Sequence, residues 1–244
     1  MTIAAIGMQD DMARMSSISQ NLANVSTPGY KRSIPVNGGV FLDHMHAAAT
    51  AQAVVGVTDA VGPMRMPQVV IDPRAGTHRQ TGNPLDIAIE GDGFFEVMTD
   101  KGPAYTRQGA LHVDARGRLV TAQDLPIMGA AGELQLSGSS ALIKPNGEVW
   151  QGDRLVGQLR LVHFANPQAL TALGNGLFAQ GEARIADTAP APVVRIGYQE
   201  NSNVNSPTEM VRLMETVRHF ESMQKVVQGY DELLEKTIRK LGEF

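Results

Sequence analysis

Ser206-Pro207-Thr208-Glu209-Met210-Val211-Arg212-Leu213 opens the last stretch of the chain, and its reading decides the fold. Ser206 suits an N-cap, Pro207 suits the first helical position, and Glu209 completes a capping box. From Met210 a seam runs through Leu213, Val217, Phe220, Gln224, Val227, Asp231, Leu234, Ile238 and Leu241 in steps of three and four. That spacing predicts an amphipathic helix of roughly 50 Å over residues 206–244. A second line, Met223, Val226, Tyr230 and Leu233, widens the apolar face. A narrow coiled-coil seam alone does not need such width. The helix therefore seeks more than one neighbour.

The other end of the chain has a matching stripe. Met1, Ala5, Met8, Met12, Met15 and Leu22 recur at spacings of three, four or seven, with Ile18 and Val25 beside them. This predicts a second amphipathic helix, from about Ile3 to Val25 and about 37 Å long. Asn24 and Ser26 lower helix propensity, Pro28 cannot continue the helix, and Gly29 permits the turn. Asn21 and Asn24 near this end read as amides that bond the departing backbone. Periodicity leaves two partnerships open for the terminal stripes. They can pair privately as a hairpin within a monomer, or face other subunits.

Between the stripes the pattern changes. Residues 31–81 carry Pro35, Gly38, Gly39, Gly56, Gly62, Pro63, Pro67, Pro73 and Gly76 and read as an extended connection with a few short strands. Residues 82–185 read as strands. Leu85 to Glu90 alternates, Gly91-Asp92-Gly93 turns, and Phe94 to Val97 resumes, which predicts a hairpin. Further turn signals at Asp100–Pro103, Asp114–Gly117, Ala130–Gly132, Pro145–Gly147 and Gln151–Asp153 imply a compact β domain. Residues 186–205 return, with a strand expected at Val193–Tyr198. The fold class is α+β: N- and C-terminal amphipathic helices (1–30 and 206–244) paired around a mainly β middle.

Composition narrows the function. The 244 residues include 21 basic and 25 acidic side chains, for a net charge of −4, and no Cys. The lack of a basic block argues against nucleic acid as a partner. Without Cys there are no disulfides, thiol nucleophiles or Cys-based metal sites. No segment has the apolar length of a membrane span, so no direct membrane insertion is expected. Asp10, Asp11 and Arg14 interrupt the N-terminal stripe, which does not read as a cleavable leader. His44 and His46 share one side of an extended chain but lack a third ligand. Neither a His-Glu-x-x-His motif nor a nucleophile elbow occurs. No catalytic residue, cofactor or metal is expected.

Asn21-Leu22-Ala23-Asn24-Val25-Ser26-Thr27-Pro28-Gly29-Tyr30-Lys31-Arg32 closely resembles the signature after the first helix in bacterial flagellar rod and hook proteins. Three further stretches are similar to that family, in the same order. They are Thr81 to Phe95, Ala104 to Gly109 with Gly117 to Thr121, and Ser202-Asn203-Val204-Asn205 before the last helix. Length and the single middle domain are more similar to rod members than to the longer hook member. His219 to Val226 is more similar to proximal than to distal rod members, whereas Lys31 to Gly39 departs from both.

The resemblance implies a non-enzymatic structural subunit of the basal-body rod, which spans the periplasm. It implies export through the flagellar type III apparatus without a cleaved leader. It also implies assembly with copies of the chain and with other rod proteins through the terminal helices, the β domain facing outward. The residues expected at that interface are Met8, Met12, Met15, Asn21, Leu22, Asn24, Pro28, Gly29, Leu213, Val217, Phe220, Val227, Leu234, Ile238 and Leu241. A reading from a different class, a monomeric β-domain enzyme or carbohydrate-binding module on a helical stalk, remains open on the residues alone.

Overall fold

The structure is a computed structural model that describes residues 2–36, 68–138, 141–186 and 193–241. His44, His46 and most of the 31–81 connection lie outside the described residues. The chain divides into two compact units. The first comprises Met1–Gln20, Ile34–Val69 and Ser206–Phe244, and the second Asn21–Ser33 and Val70–Asn205. The architecture is mixed: one helix near each end and a mostly β middle.

The first unit holds helix α1 (Thr2–Ala23), except for its last residues, and helix α2 (Ser206–Leu241). α1 ends two residues earlier than its apolar pattern. The Asn24 amide donates to the Asn21 carbonyl at 3.2 Å and that of Val25 to the Leu22 carbonyl at 3.4 Å. These tighter bonds close the last turn and satisfy carbonyls that the helix leaves open. α2 starts at Ser206, one residue before the first helical position that the capping pattern gives. In its first turn Glu209 is buried and accepts from the Arg212 guanidinium at 2.9 Å.

The two helices meet at Asp11, whose buried carboxylate lies 2.6 Å from the Nδ1 of His219. One turn away, Gly7 faces the terminal methyl of Met223. Four residues back along α1 corresponds to four residues forward along α2, so the helices run antiparallel. α1 has 22 residues and α2 has 36. In this register roughly the last dozen residues of α2 extend past the start of α1.

The second unit is built from strands. Strands β1 (Ser33–Val36) and β2 (Gln68–Ile71), each with residues in both units, form a two-stranded sheet. β3 (His78–Gln80) and β4 (Ile87–Ile89) follow, and then the hairpin β5 (Phe94–Thr99) and β6 (Gly102–Thr106). β7 (Leu111–Val113) pairs with β8 (Leu119–Thr121), and β9 (Met128–Gly129) with β10 (Gly132–Glu133). β11 (Leu142–Ile143), β12 (Glu148–Gln151) and β13 (Arg154–Gln158) make a three-stranded meander.

β14 (Leu161–Val162), β15 (Thr171–Gly174) and β16 (Leu177–Ala179) complete a five-stranded sheet in the order β14-β5-β6-β16-β15. Finally β17 (Val194–Ile196) pairs with β4, and β18 (Tyr198–Glu200) with β3.

Both faces of the five-stranded sheet are buried at its central strands β5 and β6. Phe95, Ala104 and Leu177 point into one core with Ile87, Leu119, Ile127 and Val149. Phe94, Tyr105, Val162 and Phe178 point into a second core with Ile71 and Leu170. Burial on both sides is why Phe94-Phe95 lacks the alternation of a half-exposed strand. The second core is aromatic: Phe94 meets Phe164 and Phe178 edge-on, with centroids 5.9 and 5.7 Å apart.

The hairpin expected across Gly91-Asp92-Gly93 does not form. β4 pairs with β17, almost at the far end of the β region, and β5 pairs with β6 and β14. Gly91 and Gly93 have φ of 89° and 124° and carry the chain from one sheet to another. The single return strand expected at Val193–Tyr198 is two strands, β17 and β18, divided at Gly197 with φ 78°. The run from Gly157 to Phe164 is likewise divided between β13 and β14.

Candidate functional site

Within the second unit, segments from near both ends of the chain meet at one buried junction. Asn21 is fully buried at the end of α1. Its Nδ2 donates to the Ser33 carbonyl and its Oδ1 accepts from the Ser33 amide, both at 2.8 Å. A side-chain amide thus pairs with the backbone as a neighbouring strand would. The Tyr30 hydroxyl donates to the same Oδ1 at 3.1 Å. These bonds hold the chain in the reversal after α1, in which Asn24 also accepts from the Thr27 hydroxyl.

Gly29 sits at the tightest point. Its φ is 67°, and its amide donates to the Glu200 carbonyl at 2.8 Å. A Cβ here would lie 2.5 Å from the Arg107 carbonyl carbon. The turn needs glycine for both reasons.

Lys31 follows, with its ammonium fully buried. It donates to Glu200 Oε1 and to the Arg74 carbonyl, both at 2.7 Å. Arg107 is buried as well and donates to Glu200 Oε2 at 3.1 Å and to the Gly91 carbonyl at 2.8 Å. Its guanidinium stands over the Phe94 ring at 5.3 Å. Glu200 Oε1 also accepts from the Gly76 amide at 2.9 Å. One carboxylate therefore serves two cations. Burial pushes both the Lys31 ammonium and the Arg107 guanidinium below their usual pKa, against the opposing pull of Glu200.

Asn203 closes the junction. Its Oδ1 accepts from the Arg32 amide at 2.7 Å, and its Nδ2 donates to the Asp72 and Arg74 carbonyls. Nearby, Asp86 on the β4 side accepts from Gln199 Nε2 at 2.8 Å.

Of the residues expected at the interface, Asn21 and Gly29 stand in this junction, and Asn24 in the reversal leading to it. Leu22 and Pro28 are half-buried on the same reversal. On the helices, Met8, Met15, Leu213, Val217, Phe220 and Val227 are half-buried, whereas Met12 and Ile238 are exposed. The face of α1 buried in the structure contains Asp11 and Ile18, with the methionine seam along its flank. Leu234 and Leu241 lie within α2, but their side chains are outside the described residues.

Lys31, Arg107 and Glu200 were not singled out by sequence reasoning, although two of them lie inside quoted signatures. The available signal was slight: Lys31 and Arg107 each stand two residues from a glycine, Gly29 and Gly109.

Among the described residues no group of three or more His, Asp or Glu could hold a metal. Among them, too, no helix is long and apolar enough to cross a membrane. What the chain does display is a helix near each end, a β-rich unit, and buried polar contacts joining the segments next to both helices. These features define an α+β protein with a helix near each end of a β-rich unit.

Comparison with known proteins gives the family. Residues 1–31 match the model described as flagella basal body rod protein. Residues 88–151 match the flagellar hook protein FlgE/F/G D1 domain, and 195–240 the flagellar basal body rod FlgEFG protein C-terminal model. The flagellar basal-body rod protein FlgG of Buchnera aphidicola subsp. Acyrthosiphon pisum is 31% identical over 96% of both chains. That of Bacillus subtilis is 27% identical over 95% of both. The rod protein FlgF of Mesorhizobium japonicum is 28% identical over 94% of this chain and 92% of its own. The chain belongs to the flagellar basal-body rod protein family and is a structural subunit of the rod in the flagellar basal body.

Proposed function

We propose that α1 and α2 pair as the subunit's amphipathic helical core, and that the second half of α2 docks onto helices of neighbouring rod subunits, copies of this chain among them. The observation that carries this reading is the overhang of α2 past α1. Tyr230, Leu233 and Ile238 on it are 56%, 63% and 68% exposed. Apolar side chains on a helix with nothing to cover them are the usual mark of an unfilled interface. A contact between different patches of successive subunits does not close and so builds a filament. Met8, Met15, Val217, Phe220 and Val227 form the seam within the pair, and Leu234, Ile238 and Leu241 continue it toward the neighbour.

In this reading export runs through the flagellar type III apparatus. Relatives carrying both the FlgG and the FlgF names are similar to the chain, so a distal position in the rod stands beside the proximal one suggested by His219 to Val226.

The test replaces Tyr230 and Leu233 together with Asp. The isolated subunit should keep its far-ultraviolet circular dichroism and its secreted level, because neither side chain is buried. Rods should fail to assemble and cells should not swim. Normal motility in this double variant would sink the proposal.

A further inference from the structure

We infer that Glu200 is a latch for the segment Gly29–Ser33: its carboxylate neutralises two buried cations, Lys31 and Arg107, that would otherwise hold this segment off the β-rich unit. The geometry is that of a shared counter-ion. Lys31 takes one carboxylate oxygen and Arg107 the other. Each cation's second acceptor is an uncharged carbonyl, of Arg74 and of Gly91 respectively. All three side chains are at most 2% exposed. Two like charges at a buried point repel strongly, and an anion between them reverses the sign.

The three partners are far apart in sequence, 169 residues from Lys31 to Glu200 and 93 from Arg107 to Glu200. Glu200 lies on β18, which has its own backbone partner in β3. β18 can therefore be placed before residues 29–33, whereas Lys31 cannot be buried until β18 is present. The Glu200 main chain reinforces the latch, since its carbonyl accepts from the Gly29 amide.

A plain hydrogen-bonding role and a charge latch predict different variant orders. Glu200→Gln keeps the shape and removes the one carboxylate bonded to both cations, leaving only the unbonded charges of Asp72 toward Lys31 and Asp92 toward Arg107. Lys31→Met leaves one cation and one anion. The double variant leaves a single cation. Hydrogen exchange on the full chain reads the amides of Gly29, Arg32 and Ser33, which donate to Glu200, Asn203 and Asn21. The amides of Met98 and Leu119 in the β sheets serve as reference.

Glu200→Gln should lose at least about 100-fold protection at the three amides with the reference unchanged. Lys31→Met should stay within about tenfold of the native protein, and Lys31→Met/Glu200→Gln should recover at least about tenfold over Glu200→Gln. Equal losses in Lys31→Met and Glu200→Gln, native protection in Glu200→Gln, or no recovery in the double variant would each overturn the latch. Where Glu200→Gln does not fold at all, a folded double variant supports the latch and an unfolded one overturns it.

Discussion

Gly29 and Asn21 are each required for a different physical reason. At Gly29, alanine would take a left-handed φ at a cost of about 1–2 kcal/mol. Its methyl would also press on the backbone of Arg107 and Gln108, which no side-chain rotation relieves. Gly29→Ala should cost more than about 2 kcal/mol, read as a lower denaturant midpoint at unchanged slope. Gly82→Ala is the control, since Gly82 has φ 74° and nothing within 4 Å of an added Cβ. It should lose only the strain, about 1–2 kcal/mol. Asn21→Asp keeps the acceptor and loses the donor to Ser33, leaving a buried carbonyl unmet at about 1–3 kcal/mol. The turn at Pro28-Gly29 was legible from residue types, because proline and glycine carry their backbone preferences with them. The burial of Lys31 was not legible. A lysine reads as solvated until its counter-ion is known, and Glu200 supplies that from the other end of the chain.

At the scale of elements, α2 is a helix of two halves. Up to about Val227 its seam residues Leu213, Val217, Phe220 and Val227 are half-buried, and beyond that point every described side chain is exposed. Helices without tertiary contacts are marginal in water. In the unassembled subunit, amides near Phe220 should exchange slowly and those from Tyr230 to Leu241 should exchange within the dead time of the experiment. In assembled rods both halves should be protected. Equal protection in the free subunit would show that the second half is stable without a neighbour. The helix boundaries were legible because caps and breakers act within a few residues. The β4–β5 connection was misread because Gly91-Asp92-Gly93 has hairpin chemistry locally, and the choice of strand partner is made by residues 194–196.

The whole molecule interleaves its chain: residues 21–33, the end of α1 included, belong with 70–205 rather than with the rest of that helix. A reading in contiguous blocks cannot show this, because the connection is made by side chains such as Asn203 and Glu200 reaching back across the fold. The same unit carries an acid response with a definite sign. The Arg74 guanidinium holds the Asp72 carboxyl below its ordinary 3.8. Backbone donation from Arg118, with the Arg118 side chain, holds Asp114 below 3.8. The Trp150 indole N–H, 2.9 Å from Glu148, holds that carboxyl below its ordinary 4.5. In each case the folded pKa lies below the unfolded one, so the unfolded state binds more protons as acid is added. The stability these groups contribute is present above about pH 4.5 and is lost as pH falls through their folded values. Urea midpoints measured from pH 7 to pH 3 should therefore hold level and then fall. Asp114→Asn combined with Glu148→Gln should lower the midpoint at pH 7 and make the acid fall shallower. A variant whose midpoint drops equally at pH 7 and pH 3 would show that these carboxylates act through shape alone and not through their charge.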